Sequence, residues 1–252
     1  MISISKREIM KQNINAILFS VAIVLASIIL GYYYFSRTQP IGNISVTGLG
    51  EKDFTSDLIV WEGNFSKTNM NLKIAFAELK KDRQLILGYM NKKGIKDKEI
   101  VFSSVNSLKD NQPKYSSDGK YIGSVFVGYQ LSQTVQIESQ NVEKIESLSR
   151  EITELLNEGI EFYSLPPRYY YKKLAGLKIE MISKATEDAR IRAEKIAENS
   201  SSKLGNLISA KMGIFQITGQ NSGEEFSWGG TFNTESKNKT ASITMKLTYS
   251  VK

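Results

Sequence analysis

The spacing of apolar positions changes several times along this chain, and each change predicts an element. Ile14 to Phe35 is an uncharged run of 22 residues, long enough to cross a bilayer as a helix. "NISVTGLG", Asn43 to Gly50, then alternates Ile44 and Val46 before Gly48 and Gly50, predicting a strand that ends in a loop. "DLIVWEGNFSK", from Asp57, predicts a second strand. From Asn69 the period lengthens. Leu72, Phe76, Leu79, Ile86 and Met90 fall near one helical face, and Gly94 follows as a C-terminal cap.

"KEIVFSSVNS", from Lys98, returns to strand character. "KDNQPKYSSDGK" reads as a polar loop, and "YIGSVFVGYQLSQTVQIES" as a long strand or bent strand pair. Val142, Ile145, Leu148, Ile152, Leu155 and Leu156 describe a second amphipathic helix, stopped by Gly159. Both helices end in Gly-Ile followed by a strand, at Gly94 and Gly159, a spacing of 65 residues that hints at a duplicated unit. A third and longest helix is predicted from about Lys173 to Ser201, closed by Gly205, with the next strand entered at Leu207.

On that third helix Ile182, Ala185, Ala189, Ala193, Ile196 and Ser200 form a narrow face of small and apolar residues. Alanine there lets a helix approach a sheet closely. Among Lys184, Glu187, Asp188, Arg190, Arg192, Glu194, Lys195 and Glu198 on the other faces, four acids offset four bases, which leaves no basic side for nucleic acid. "NLISAKMGIFQITG" then reads as a strand, and "QNSGEEFSWGGTFNTESKNK" as a polar and aromatic loop. In "TASITMKLTYSVK" Ala241, Ile243, Met245, Leu247, Tyr249 and Val251 point one way while Ser242, Thr244, Lys246, Thr248 and Ser250 point the other. That is a strand with one packed and one wet face. The fold class expected is α+β: a largely antiparallel sheet covered by about three helices, preceded by one N-terminal transmembrane helix.

Charge and aromatic placement orient the apolar run. Lys6, Arg7 and Lys11 precede it, only Arg37 follows closely, and Tyr32, Tyr33 and Tyr34 stand where an interfacial belt belongs. The expectation is a cytoplasmic N-terminus over 1–13, an anchor inserted in the lipid bilayer over 14–35, a linker over 36–43 and an extracytoplasmic domain over 44–252. A cleaved signal peptide is the competing reading, but the run is too long and its end too aromatic for a small-residue cleavage site.

The formal charge of +7 shrinks once it is divided. The first 37 residues carry +3 of it, leaving a diffuse +4 over the remaining 215, weak support for a phosphate-binding face. The chain has no Cys and no His. Disulfides, lipoprotein processing, thiolate or imidazole metal sites and His-dependent triads are therefore excluded.

Four stretches carry candidate chemistry. Gly48-Leu49-Gly50 lacks the third glycine and the following helix of a dinucleotide fingerprint. Ser200-Ser201-Ser202-Lys203 matches Ser-x-x-Lys but lies at a helix C-terminus, without its partner motifs. Glu224 and Glu225 beside Trp228 suggest a glycosidase pair only formally, since adjacent glutamates in such a loop are ordinarily solvated. "RYYYKKL", Arg168 to Leu174, interleaves bases and aromatics that can stack on bases or sugars, or simply form an interface edge. Tyr169, Tyr170, Tyr171, Phe226 and Trp228 are accordingly the candidate oligomer or ligand contacts.

"ISVTGLG", "KKGIKDKEIVFSSVNS", "VGYQLSQTVQIES", "ELLNEGIEF" and above all "KATEDARIRAEKIAENSSSKLGNLISAKMG" together resemble the SIMPL domain family of bacterial envelope proteins. The resemblance covers about residues 43 to 252. It implies an α+β domain in the periplasm or on the envelope, no established enzymatic activity, no cofactor and no catalytic residue to carry over. It also implies homo-oligomers of ring or channel type, with links to envelope maintenance and oxidative-stress tolerance. One departure is visible: the family often has Pro-Asp shortly after its Gly-x-Gly, where this chain has Ser56-Asp57. The expected partners are thus the bilayer and other copies of the chain, with no nucleic acid and an unknown ligand. An envelope ligand such as a glycan, held on exposed aromatics, is the alternative.

Overall fold

This computed structural model describes residues 3–38, 42–225 and 227–252. A single long helix, α1 (Ser3–Thr38), precedes the folded domain. Its segment Ile17–Phe35 is apolar enough and, at 19 residues, long enough to cross a bilayer. The chain then runs β1 (Asn43–Thr55), β2 (Leu58–Asn69), α2 (Leu72–Lys92), β3 (Ile100–Phe102), β4 (Asn106–Tyr115) and β5 (Tyr121–Ser139). It continues through α3 (Val142–Glu151), β6 (Phe162–Ser164), β7 (Arg168–Tyr170), α4 (Leu174–Asn199), β8 (Leu204–Met212), β9 (Gln216–Gly219) and β10 (Asn238–Val251).

These elements form two compact units, Val46–Arg192 with Ala210–Leu247, and Met1–Ser45 with Ala193–Ser209 and Thr248–Lys252. In the larger unit the strand order β3-β5-β2-β6 is antiparallel throughout, and α2 and α3 pack on β2 and β5. This is the connectivity of a split β-α-β pair. The duplicated Gly-Ile signal is one trace of it.

The copies share their starts as well as their stops. Asn71 caps α2 by accepting from Lys73 N at 2.9 Å, and Asn141 caps α3 by accepting from Lys144 N at 3.2 Å. At the other end Gly94 and Gly159 both take positive φ, at 77° and 76°. Gly94 N–H then reaches Asn91 O while Ile95 N–H reaches Met90 O, and Gly159 and Ile160 do the same to Leu156 and Leu155. This is the Schellman arrangement with a buried Ile completing it.

The apolar faces meet in one core that includes Ile59, Trp61, Phe65, Leu79, Ile86, Ile137 and Ile152. Trp61 and Phe65 stack on Phe162 at 6.0 and 6.5 Å, and Trp61 Nε1 donates to Ser164 Oγ at 3.0 Å. Three expected core positions on the α2 and α3 faces prove exposed. The buried stripe of α2 is Ala75, Leu79, Asp82, Ile86 and Met90, which leaves Leu72 and Phe76 outside. The α3 face ends in a tighter 3-10 turn over Ile152–Glu158, and Leu156 is turned out.

The polar segment from Lys109 is a correction of another kind. Lys109 to Tyr115 is strand, since β4 pairs with β5 from Asn106↔Ser132 to Tyr115↔Tyr121, and only the remainder up to Lys120 forms the expected loop, as the hairpin turn. Because β2 pairs β5 only from Tyr129 onward, the outer part of this hairpin is a two-stranded arm.

The second sheet, in the order β1-β10-β8, places β1 at an edge. In the larger unit it packs α4 through residues without side-chain bulk. A Cβ on Gly48 would lie 2.2 Å from Ala185 O and 2.4 Å from Ala189 N, and one on Gly50 would lie 2.2 Å from Met181 O. The expected turn at these glycines is therefore absent, since β1 runs straight through both. Asp188 Oδ2 accepts from Leu49 N–H at 2.9 Å, and Lys52 Nζ sits 2.6 Å from Glu180. The helix thereby covers an otherwise open strand edge.

Leu177, Met181, Ala185, Ala189, Ala193 and Ala197 are all buried, at a strict spacing of four, while Ile196 is exposed. Such a row runs obliquely to the helix axis, as packing on a twisted surface requires. In the smaller unit, Lys203 and Lys252 exchange backbone hydrogen bonds of 2.9 Å, and a Cβ on Gly205 would lie 2.3 Å from Ser250 Oγ. The close approach to Ser250 is Gly205's role. The helix itself is stopped by Ser201, at φ 55°, with Ser202 N–H on Ala197 O.

Gly48→Ala and Ala189→Leu are each expected to destabilise the chain by about 1 to 3 kcal/mol through overpacking. Gly88→Ala, in α2 where a Cβ meets nothing within 4 Å, is expected to stabilise it by about 0.5 to 1 kcal/mol. Urea unfolding of the three variants checks this, and a Gly48→Ala midpoint equal to the native one shows that the seam is not tight.

Candidate functional site

The aromatic residues singled out by the sequence do not converge on one cleft. Tyr169, on β7, pairs with Ile59 and belongs to the core, where burial raises its phenol above the ordinary range. Tyr170 is half-buried, and Tyr171 packs on Phe54 at 4.8 Å between ring centroids. Phe226 lies outside the described residues. Of the four described, Trp228 alone stands in solvent, 97% exposed. Tyr169 is thus removed as a contact, and the tyrosine run reads as the sheet edge weighed against stacking.

Trp228 overhangs a groove of about 520 Å³ on the face of the sheet turned away from α4. Leu49, Ile214, Ile243 and Thr244 line it, together with Gly213. The glycine matters because a Cβ there would stand 2.2 Å from Thr244 Oγ1. The loop above is pinned by Gln216, buried at the end of the groove, which donates to Ser227 O at 2.8 Å and accepts from Thr231 N at 2.6 Å.

A second anchor of the loop was missed in the sequence. Lys239 is buried at 2% exposure and donates to Tyr169 O at 2.9 Å and to Asn233 O. Asn233 Nδ2 in turn donates to Glu224 Oε1 at 2.5 Å, and Glu224 Oε2 accepts from Gly219 N–H at 2.9 Å. Those bonds hold the Glu224 carboxyl below its usual range. Glu224 therefore serves the loop's own structure, which removes it from a carboxylate pair with Glu225. The signal for Lys239 was its phase: it precedes Ala241 by two and shares its face.

The remaining candidates resolve into packing. Ser200 Oγ donates back to Ile196 O at 2.8 Å, as a helix-end serine does. Ser56 is buried and its N–H donates to Lys237 O at 2.9 Å, a bond that a proline at this position could not make.

A family profile described as SIMPL, protein of unknown function, matches residues 44–251. The chain belongs to the SIMPL family. No curated protein matches it. The SIMPL match spans both sheets and all three helices after α1, so the Gly48 seam, the groove and the Lys239 anchor are all features of the SIMPL domain.

Burial lowers the Lys239 ammonium to about 8, against the pull of the Glu224 charge. An unfolded lysine titrates near about 10.4, so the folded SIMPL domain binds fewer protons than the unfolded chain between about pH 8 and pH 10. The desolvation penalty is thus present in full below that window and is relieved as pH rises through it. The native protein is expected to gain melting temperature relative to Lys239→Met from pH 8 to pH 10, by roughly that relief. A difference that stays flat across the window shows that Lys239 titrates as an ordinary lysine.

Proposed function

We propose that this is a single-pass membrane protein whose SIMPL domain, extracytoplasmic and non-enzymatic, self-associates as a structural or interaction module of the cell envelope. The observation that carries the reading is the β4–β5 arm. Leu108, Tyr115, Tyr121, Ile122, Val125 and Phe126 are all exposed on it, although several are residues that ordinarily seek a core. Two strands alone are marginally stable in water. An exposed apolar ribbon of this kind suits burial against a second copy.

The membrane position is supported by the apolar helix Ile17–Phe35 and by the bases that precede it. Service in envelope maintenance or oxidative-stress tolerance rests on the family resemblance. A glycan platform has less support, because the tyrosines and Trp228 do not share a cleft.

Light scattering of the full chain in detergent is expected to give a protein mass several times 28.3 kDa. The pair Tyr121→Lys and Ile122→Lys, at exposed positions that tolerate charge within about 0.5 kcal/mol of stability, is expected to reduce it toward the monomer. A native protein that is monomeric at micromolar concentration refutes self-association, and an assembly unaffected by the pair refutes the arm as its contact.

A further inference from the structure

We infer that the Trp228 groove is a docking surface for the bilayer in which the chain is anchored, so that the SIMPL domain rests on the membrane through this face. This rests on the reading of residues 14–35 as a transmembrane anchor.

The first support is the tether. From Thr38, the last residue of α1, to Asn43 is five residue steps, at most about 18 Å when fully extended. Leu49 follows six residues into β1, a further rise of about 20 Å. Chain length alone bounds Leu49 to within about 38 Å of Thr38, so the bilayer surface lies within the groove's reach.

The second support is the chemistry of the face. Trp228 stands almost wholly in solvent, with Leu49 and Ile214 exposed beside it. An indole with aliphatic neighbours has an apolar body and one polar N–H, the combination that partitions into the headgroup region. Lys246, two residues from Thr244 along β10, shares its face and is exposed, and Lys211, also exposed, lies two residues before Gly213, just inside the end of β8 at Met212. Their ammonium groups suit anionic headgroups around an inserted apolar tip.

The charge pattern also argues against a second copy as the occupant. An isologous contact through this face brings Lys211 and Lys246 toward their own counterparts. The acids Glu51 and Asp53 lie farther along β1, at a separate polar recess with Thr218 and Gln220. Asp53 is already engaged there by Gln220 and Thr240. The face thus has an apolar, basic end suited to the membrane and an acidic end suited to water.

The test uses the full chain in nanodiscs of phosphatidylcholine and phosphatidylglycerol. Trp61 is fully buried, so subtracting the emission of a Trp228→Gln variant isolates Trp228. We expect Trp228 emission to be blue-shifted, shielded from iodide and quenched by lipids brominated on the acyl chain near the headgroup. In Lys211→Glu with Lys246→Glu that quenching should be lost, and in discs of phosphatidylcholine alone it should weaken.

Red-shifted emission open to iodide and indifferent to brominated lipid overturns the inference. So does emission shielded from iodide but untouched by brominated lipid, with cross-linking at position 228 between chains, because the occupant is then a second copy. Extraction of vesicles of the same lipids with alkaline carbonate separates the two readings. A chain that stays in the membrane with Trp228 in water refutes only the docking, whereas a chain that washes off refutes the anchor and the docking with it.

Discussion

The close approach of β1 to α4 is the constraint on which the second sheet depends. With Gly48 and Gly50 on one side and Ala185 and Ala189 on the other, strand and helix come together so closely that a single added methyl meets backbone atoms at 2.2 Å. Two consequences follow from that distance. The carboxylate of Asp188 can reach the N–H of Leu49, and the Leu49 side chain, facing away from the helix, forms part of the wall of the groove under Trp228. Small residues on one face of the strand thus determine what the other face presents.

The split β-α-β sheet is held differently, by bulk. Trp61, Phe65 and Phe162 fill its centre, and Gly63 is bare because a Cβ there would stand 2.2 Å from the Phe162 ring. Its two halves repeat an Asn start and a Gly-Ile stop. These local signals do not depend on which sheet a helix joins, which explains why they survive in halves of different helix length.

Features encoded by neighbours along the chain are legible in the amino-acid sequence alone. The apolar run forms α1, the alternation from Ala241 forms β10, and the alanine row forms the buried side of α4. Features encoded by partners distant along the chain are not. Gly48 and Gly50 look like a turn until Ala185 and Ala189 are brought against them, and Gly205 looks like a helix cap until Ser250 lies beside it. The β4 segment does not read as a strand because its Lys, Asp, Asn and Gln have no apolar face to alternate with. In the candidate site the sequence marks Trp228 as notable but groups it with tyrosines that sit elsewhere, and it gives little sign of Lys239 because a lysine is seldom as deeply buried.

The strand order has a consequence for synthesis. β1 lies beside β10, and Thr55 and Asn238, which bond across them, are 183 residues apart. A strand that emerges directly behind the hydrophobic helix must wait for nearly the whole chain before its hydrogen-bonding edge is satisfied. During that interval its close contact with α4 is the earliest shelter within reach, since Asp188 is made some fifty residues before the final strand begins. The glycine and alanine seam thereby covers one face and the outer edge of the strand before the edge that β10 takes has a partner, at the stage when an unpaired strand is most exposed to aggregation.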